Sequence, residues 1–141
     1  MYKRHKYDLI VIFAALNLAI ATFLAVSHYM GFQVPCSITN GCQTVLTSKY
    51  SMLFGLPLAV WGIVFYAAVI VTSLLANHYH TWRKLLTWLL GLGALMAVGF
   101  LGLQFFVIKH VCEYCLTTDT IAILLFLWDL NIEARSISPL A

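Results

Sequence analysis

Long apolar runs alternate with short polar ones along this chain, and the polar stretches mark where each run ends. The apolar runs extend over roughly 9–30, 54–76, 85–108 and 112–130. Each approaches or exceeds the ~20 residues that a helix needs to cross the hydrocarbon core of a bilayer. A backbone N–H or C=O in lipid finds no partner outside the protein, so each run is predicted to be helical. The expected fold is an all-α membrane protein, a four-transmembrane-helix bundle in a single domain over 1–141. Lys3, Arg4 and Lys6 precede the first run, as they would in a signal peptide. That run is too long for an h-region, and His28-Tyr29-Met30 is no small-residue cleavage site, so it is read as a retained span.

Composition agrees with this pattern. Hydrophobic residues make up 62% of the chain and charged ones 9%, against about 45–50% and about 25% in soluble domains. Too few polar side chains remain to cover a water-facing surface. The basic residues then orient the bundle. Lys3, Arg4, Lys6, Arg83, Lys84 and Arg135 fall on one side of a four-span chain, and only Lys49 and Lys109 on the other. The positive-inside rule predicts cytoplasmic termini and an extracytoplasmic loop between helices 1 and 2. Topology accounts for the net charge of +3, which calls for no nucleic-acid partner. Asp129 and Glu133 are expected as cytoplasmic surface charges.

The four cysteines, Cys36, Cys42, Cys112 and Cys115, change the picture from scaffold to chemistry. The first two lie in the polar loop after span one, the second two at the head of span four. Four spans put both loops on the same side, whichever way the chain is inserted. With the charge bias added, that side is the non-cytoplasmic one, where disulfides persist. Cys112-Glu-Tyr-Cys115 is a C-x-x-C opening a helix, where unpaired N–H groups and the macrodipole favour a thiolate. Cys36 and Cys42 sit in a loop with Pro35, Asn40 and Gly41, able to present one sulfur to water and the other to the membrane pair. Two dithiols on one surface can exchange through a mixed disulfide. Structural zinc on the four sulfurs, or inert disulfide staples in a non-enzymatic membrane scaffold, are the competing readings; the wide Cys36/Cys42 spacing fits a zinc knuckle poorly.

A relay needs an electron source or sink. The chain has no G-x-G-x-x-G, no phosphate loop and no C-x-x-C-H, so nucleotide and attached haem are not expected. A C-x-x-C one turn into a membrane helix faces apolar space, and by elimination the natural oxidant there is a lipid-soluble quinone.

The segments Cys36-Ser-Ile-Thr-Asn-Gly-Cys42, Ser48, Phe54-Gly55-Leu56-Pro57-Leu58-Ala59 and Cys112-Glu-Tyr-Cys115-Leu-Thr-Thr together resemble the vitamin K epoxide reductase family, over nearly the whole chain. The likeness is to its prokaryotic, quinone-reducing members. It implies a helix bundle around a quinone, whether menaquinone, ubiquinone or phylloquinone, with no metal or nucleotide. It also implies an oxidoreductase in the plasma membrane whose cysteines face the periplasm or cell exterior and which supports disulfide-bond formation. By position, Cys36 would meet a thioredoxin-fold partner, Cys42 would pass electrons to Cys112, and Cys115 would face the quinone. Ser48 aligns with the family's loop Ser/Thr, and Phe54 opens its Phe-Gly motif. Asp119 stands where the vertebrate enzyme has tyrosine, and Ser51 stands near the place of its asparagine; both changes point away from an epoxide substrate. Many bacterial relatives carry a fused thioredoxin-like domain, and here the partner is expected to be a separate protein.

Asp119 follows Cys115 by four positions and Cys112 by seven, on one helical face with both sulfurs. An ionisable side chain inside a span is a functional candidate, here as a hydrogen-bond partner or proton source for the quinone. The competing reading is a carboxyl solvated near the interface. Asn17 and Gln104 are expected to bond across helices as packing glue, with quinone contact the lesser reading. Trp61, Tyr66 and Phe106 are candidate pocket residues whose spacing fits core packing equally well. Gly91, Gly93, Ala97, Gly99 and Gly102 make span three slim, suited to close packing or to a cavity wall.

Overall fold

A computed structural model of the chain describes residues 7–31, 49, 52–109 and 112–137, with side chains of the last helix described through residue 132. Among the described residues, four helices are long and apolar enough to cross a membrane. They are α1 (Asp8–Met30), α2 (Leu58–Ala76), α3 (His80–Gly102, continued by a π-helical stretch Leu103–Ile108) and α4 (Glu113–Ile137). A short hairpin, β1 (Met52–Leu53) and β2 (Leu56–Pro57), precedes α2. The chain is thus a mostly helical, multi-pass membrane protein, as its hydropathy predicts.

Local chemistry explains the ends. Helix α1 stops at Gly31, whose left-handed φ of 76° no β-carbon obstructs, and whose N–H donates to Ser27 O at 3.0 Å. The apolar run predicted to begin the second span at Phe54 instead begins its helix at Leu58. Phe54 and Gly55 form the turn of the hairpin, with φ of 53° and 80°, the pair of positive values that a tight two-residue hairpin requires. Pro57, lacking an N–H, is Cα partner to Met52 on the hairpin and also caps α2. Helices α2 and α3 are joined tightly through Asn77–Tyr79, and Arg83 Nε donates to the Ala76 carbonyl at 3.1 Å, satisfying one of the orphan acceptors at the end of α2. Helix α3 therefore starts at His80, before its basic pair rather than after it.

The bundle is filled at one end and hollow at the other. Tyr7, Ile10, Val69, Ala76, Leu86, Leu90 and Ile132 form a buried core at the end that holds the chain's first and last described residues. Towards the opposite end, where α1 meets the hairpin and α3 meets α4, the packing opens into a cavity. The outer faces carry Ile12, Val64, Leu95, Val98 and Leu127, each more than half exposed. At most 33% of any spanning window is buried, so the bundle exposes mainly apolar surface, which suits lipid and not water.

Asp129, expected on the surface, is fully buried at 0% exposure, and Thr87 Oγ1 of α3 donates to its Oδ2 at 2.6 Å. The short hydrogen bond takes the place of water at that oxygen. Of the glycines in α3, Gly91 and Gly93 are the ones packed closely. A β-carbon at Gly91 would meet Phe126 at 3.1 Å, and one at Gly93 would run into the ring of Phe65, whereas Gly99 and Gly102 face open space. Gly93→Leu is expected to destabilise the bundle by about 1–3 kcal/mol, the usual cost of overpacking, while Gly99→Ala leaves it unchanged. Thermal unfolding in detergent, followed by circular dichroism, checks both.

Candidate functional site

The head of α4 determines the site. A helix leaves its first N–H groups without intrahelical acceptors, and Cys112 is the residue that flanks this helix. Its carbonyl accepts from Leu116 N–H at 2.8 Å, and its Sγ accepts from Cys115 N–H at 3.4 Å. Sulfur here occupies the place where a serine or aspartate oxygen usually caps a helix, three positions before the N–H it accepts from. Cys112 is buried against Ile108, Tyr114 and Cys115. Both cysteines of the pair are free thiols.

This geometry favours the Cys112 thiolate. A hydrogen bond from the Cys115 side chain is the largest influence, joined by the backbone N–H groups of Cys115 and Tyr114; burial and the nearby Glu113 charge oppose them. The balance lowers the Cys112 thiol to about 7. The thiolate thus favoured is the nucleophilic form of a cysteine.

Cys115 and Asp119, one turn apart on α4, line a cavity of about 610 Å³, within the ~300–1,000 Å³ typical of small-molecule sites. Its walls are mainly apolar, and they include Trp61 and Tyr66 of α2, Gly93 and Phe100 of α3, and Leu24 of α1. Of the three aromatic candidates, Trp61 and Tyr66 line the cavity, whereas Phe106 lies 81% exposed on the outer surface. Trp61 Nε1 donates to Leu53 O at 2.9 Å, tying the hairpin to the mouth. Phe54 occupies the hairpin tip, 87% exposed, with its ring edge-on to Trp61 at 6.1 Å. It supports a lining residue without belonging to the lining. Cys36, Cys42, Ser48 and Ser51 lie outside the described residues.

Sequence reasoning under-read Gln104. The side chain is 3% exposed and does not merely glue helices together. Its Oε1 accepts from Cys112 N–H at 3.0 Å, and its Nε2 donates to Asp119 Oδ2 at 3.4 Å. The available signal was position: an amide eight residues before the first cysteine, in the last turns before the chain reverses. Asn17 fits the packing role better. Its Nδ2 and the Tyr66 hydroxyl both donate to the Thr118 carbonyl, each at 3.4 Å, linking α1 and α2 to α4.

The lowered Cys112 thiol has a direct consequence. The rate of its modification by a small methanethiosulfonate should rise with pH about a midpoint near 7, whereas an ordinary cysteine gives about 8.5. Mass spectrometry of the modified peptide reads the rate at this residue. A midpoint at the ordinary value would refute the capping arrangement. Comparison with known proteins bears on the same residues. No single curated protein matches the chain. The model of the vitamin K epoxide reductase family, however, matches residues 9–130, from the start of α1 through the C-x-x-C, the cavity-lining segments and most of α4. With that match laid over a dithiol at the head of a membrane helix, the chain belongs to the vitamin K epoxide reductase family, whose members are membrane thiol oxidoreductases.

Proposed function

We propose that the protein oxidises a thioredoxin-fold partner outside the cytoplasm and delivers the electrons to a quinone in the bilayer. The observation that carries this reading is that Cys115 and Asp119 face one apolar cavity while Cys112, beside them, holds a thiol lowered to about 7 at the helix head. A nucleophilic sulfur, an apolar pocket and a carboxyl within the same two turns suit a two-electron exchange between a dithiol and a lipid-soluble carbonyl compound. Family membership adds that such proteins are quinone-linked in general.

In the proposed cycle the partner's dithiol reduces a Cys36–Cys42 disulfide and becomes a disulfide itself. Cys42, now a thiolate, attacks a Cys112–Cys115 disulfide at Cys112 and releases Cys115. Cys36 then closes on Cys42 and frees Cys112. The resulting Cys112/Cys115 dithiol loses two electrons and two protons as its disulfide reforms, and the quinone gains both to become a quinol. Asp119 hydrogen-bonds a quinone carbonyl or supplies one of those protons. Ser48 and Ser51 act near the loop pair, and Phe54 acts through Trp61 at the mouth. The distribution of basic residues supports cytoplasmic termini and a plasma membrane orientation with the cysteines outside. Menaquinone, ubiquinone and phylloquinone all satisfy the chemistry as acceptor.

The test is quinone reduction by purified protein, driven either by a reduced thioredoxin-fold protein or by a small dithiol. Cys115→Ala should abolish both reactions, and Cys36→Ala should abolish only the protein-driven one. Loss of the small-dithiol reaction in Cys36→Ala would break the proposed order of the relay, and wild-type protein that reduces no quinone would end the reading. Asp119→Asn should slow quinone reduction by about a hundred-fold if the carboxyl supplies the proton. A rate within about three-fold of wild type would assign Asp119 no part in the chemistry.

A further inference from the structure

The two proposed chemical groups of the site, a thiol at the helix head and a carboxyl two turns on, have no direct bond between them. The backbone N–H of the cysteine and the carboxyl are each bonded to a third side chain from another helix. Gln104 accepts from Cys112 N–H at 3.0 Å and donates towards Asp119 Oδ2 at 3.4 Å. Each half of the amide is thus used, in the only sense its chemistry allows: oxygen accepting, nitrogen donating. The residue is buried, so water does not compete for either bond.

The backbone that carries Gln104 is unusual as well. Leu103–Ile108 is π-helical, and Lys109 follows with a left-handed φ of 61°. Wide turns of this kind are rare and concentrate at functional sites. The stretch ends four residues before Cys112, so it carries the amide to the head of α4.

We infer that Gln104 is a positioning residue that holds the nucleophilic sulfur and the cavity carboxyl in one frame, so that the dithiol and the quinone site are aligned from α3. The inference rests on the reading above, in which Asp119 serves the quinone. Without Gln104 the Cys112 N–H has no acceptor, and the first turn of α4 must shift to find one. Such a shift disturbs the Cys115 N–H bond to Cys112 Sγ. Asp119 meanwhile loses the donor that fixes its carboxyl plane. The titratable groups facing Cys112 among the described residues are Cys115, Glu113, Tyr114 and Asp119, and Gln104→Met leaves all four in place.

One substitution tests this in the full chain: Gln104→Met keeps the volume and removes both hydrogen bonds. Thiolate formation is read from the absorbance of the reduced protein near 240 nm against pH. In Gln104→Met the equilibrium constant for forming the Cys112 thiolate should fall about five-fold, the worth of one net hydrogen bond. A wild-type midpoint in Gln104→Met would overturn the positioning role at the thiol.

The carboxyl arm is read by a double-mutant cycle on quinone reduction with a small dithiol. Gln104→Met should lower kcat/KM for quinone about five-fold in the wild-type background and less than about two-fold when Asp119 is already asparagine. Equal losses in both backgrounds would show that Gln104 does not act through Asp119. A wild-type protein that reduces no quinone would fail the functional reading instead, and the titration would still decide the role of Gln104 at Cys112.

Discussion

The first turn of a membrane helix cannot leave its N–H groups bare, and the way α4 meets that constraint shapes everything around it. Near the aqueous edge of a bilayer most helices cap with a hydroxyl or carboxylate oxygen. Here the acceptors are the sulfur of Cys112 and the amide oxygen of Gln104. A thiol placed as a cap gains from every donor aimed at it, and the donors favour its ionised form. Structural necessity and nucleophilicity therefore have one origin. The same bonds that begin the helix prepare the sulfur to react.

The uneven packing of the bundle follows from where that head lies. Side chains from all four helices interlock at the far end, around Ile10, Val69, Leu86 and Leu125. Rigidity there lets the other end be hollow without the helices collapsing on one another. The slimness of α3 matters at only two points, Gly91 and Gly93, which admit the rings of Phe126 and Phe65. Phe65 is thereby seated into the wall of the cavity and not across it. The hairpin before α2 adds a rim, held by the Trp61 bond to Leu53.

Much of this was legible in the sequence, and what was missed has physical reasons. Hydropathy gave four helices because lipid leaves the backbone no other choice, and C-x-x-C at an apolar boundary marked the cysteine pair that lies at the head of α4. The family likeness read from the motifs agrees with the family match over 9–130. Helix boundaries were less visible. Leu53, Phe54 and Leu56 look like membrane residues by hydropathy, yet the Phe54-Gly55 pair turns the chain back on itself, so α2 starts later than the run does. Helix α3 starts earlier than its run, because Arg83 and Lys84 fit on the helix and Arg83 caps its neighbour. Gln104 was read as glue because periodicity says which face a residue occupies and not which donor waits there. The loop pair, Cys36 and Cys42, rests on sequence alone.

Helix α4 carries two acidic residues within its span, and comparing them shows what makes one of them a chemical candidate. Both are removed from bulk water, so burial does not separate them. Asp129 is fully buried with the Thr87 hydroxyl at 2.6 Å and does not line the cavity that Cys115 lines. Its short bond compensates for lost hydration and fixes α3 against α4. Asp119 has a longer contact, 3.4 Å to Gln104, and opens onto the cavity that Cys115 also lines. A loosely held carboxyl beside empty apolar space keeps lone pairs for something that arrives there, whereas a tightly held one beside packed side chains does not. The candidate carboxyl and the structural one on this helix are thus told apart by how tightly each is held and by the cavity that Asp119 lines.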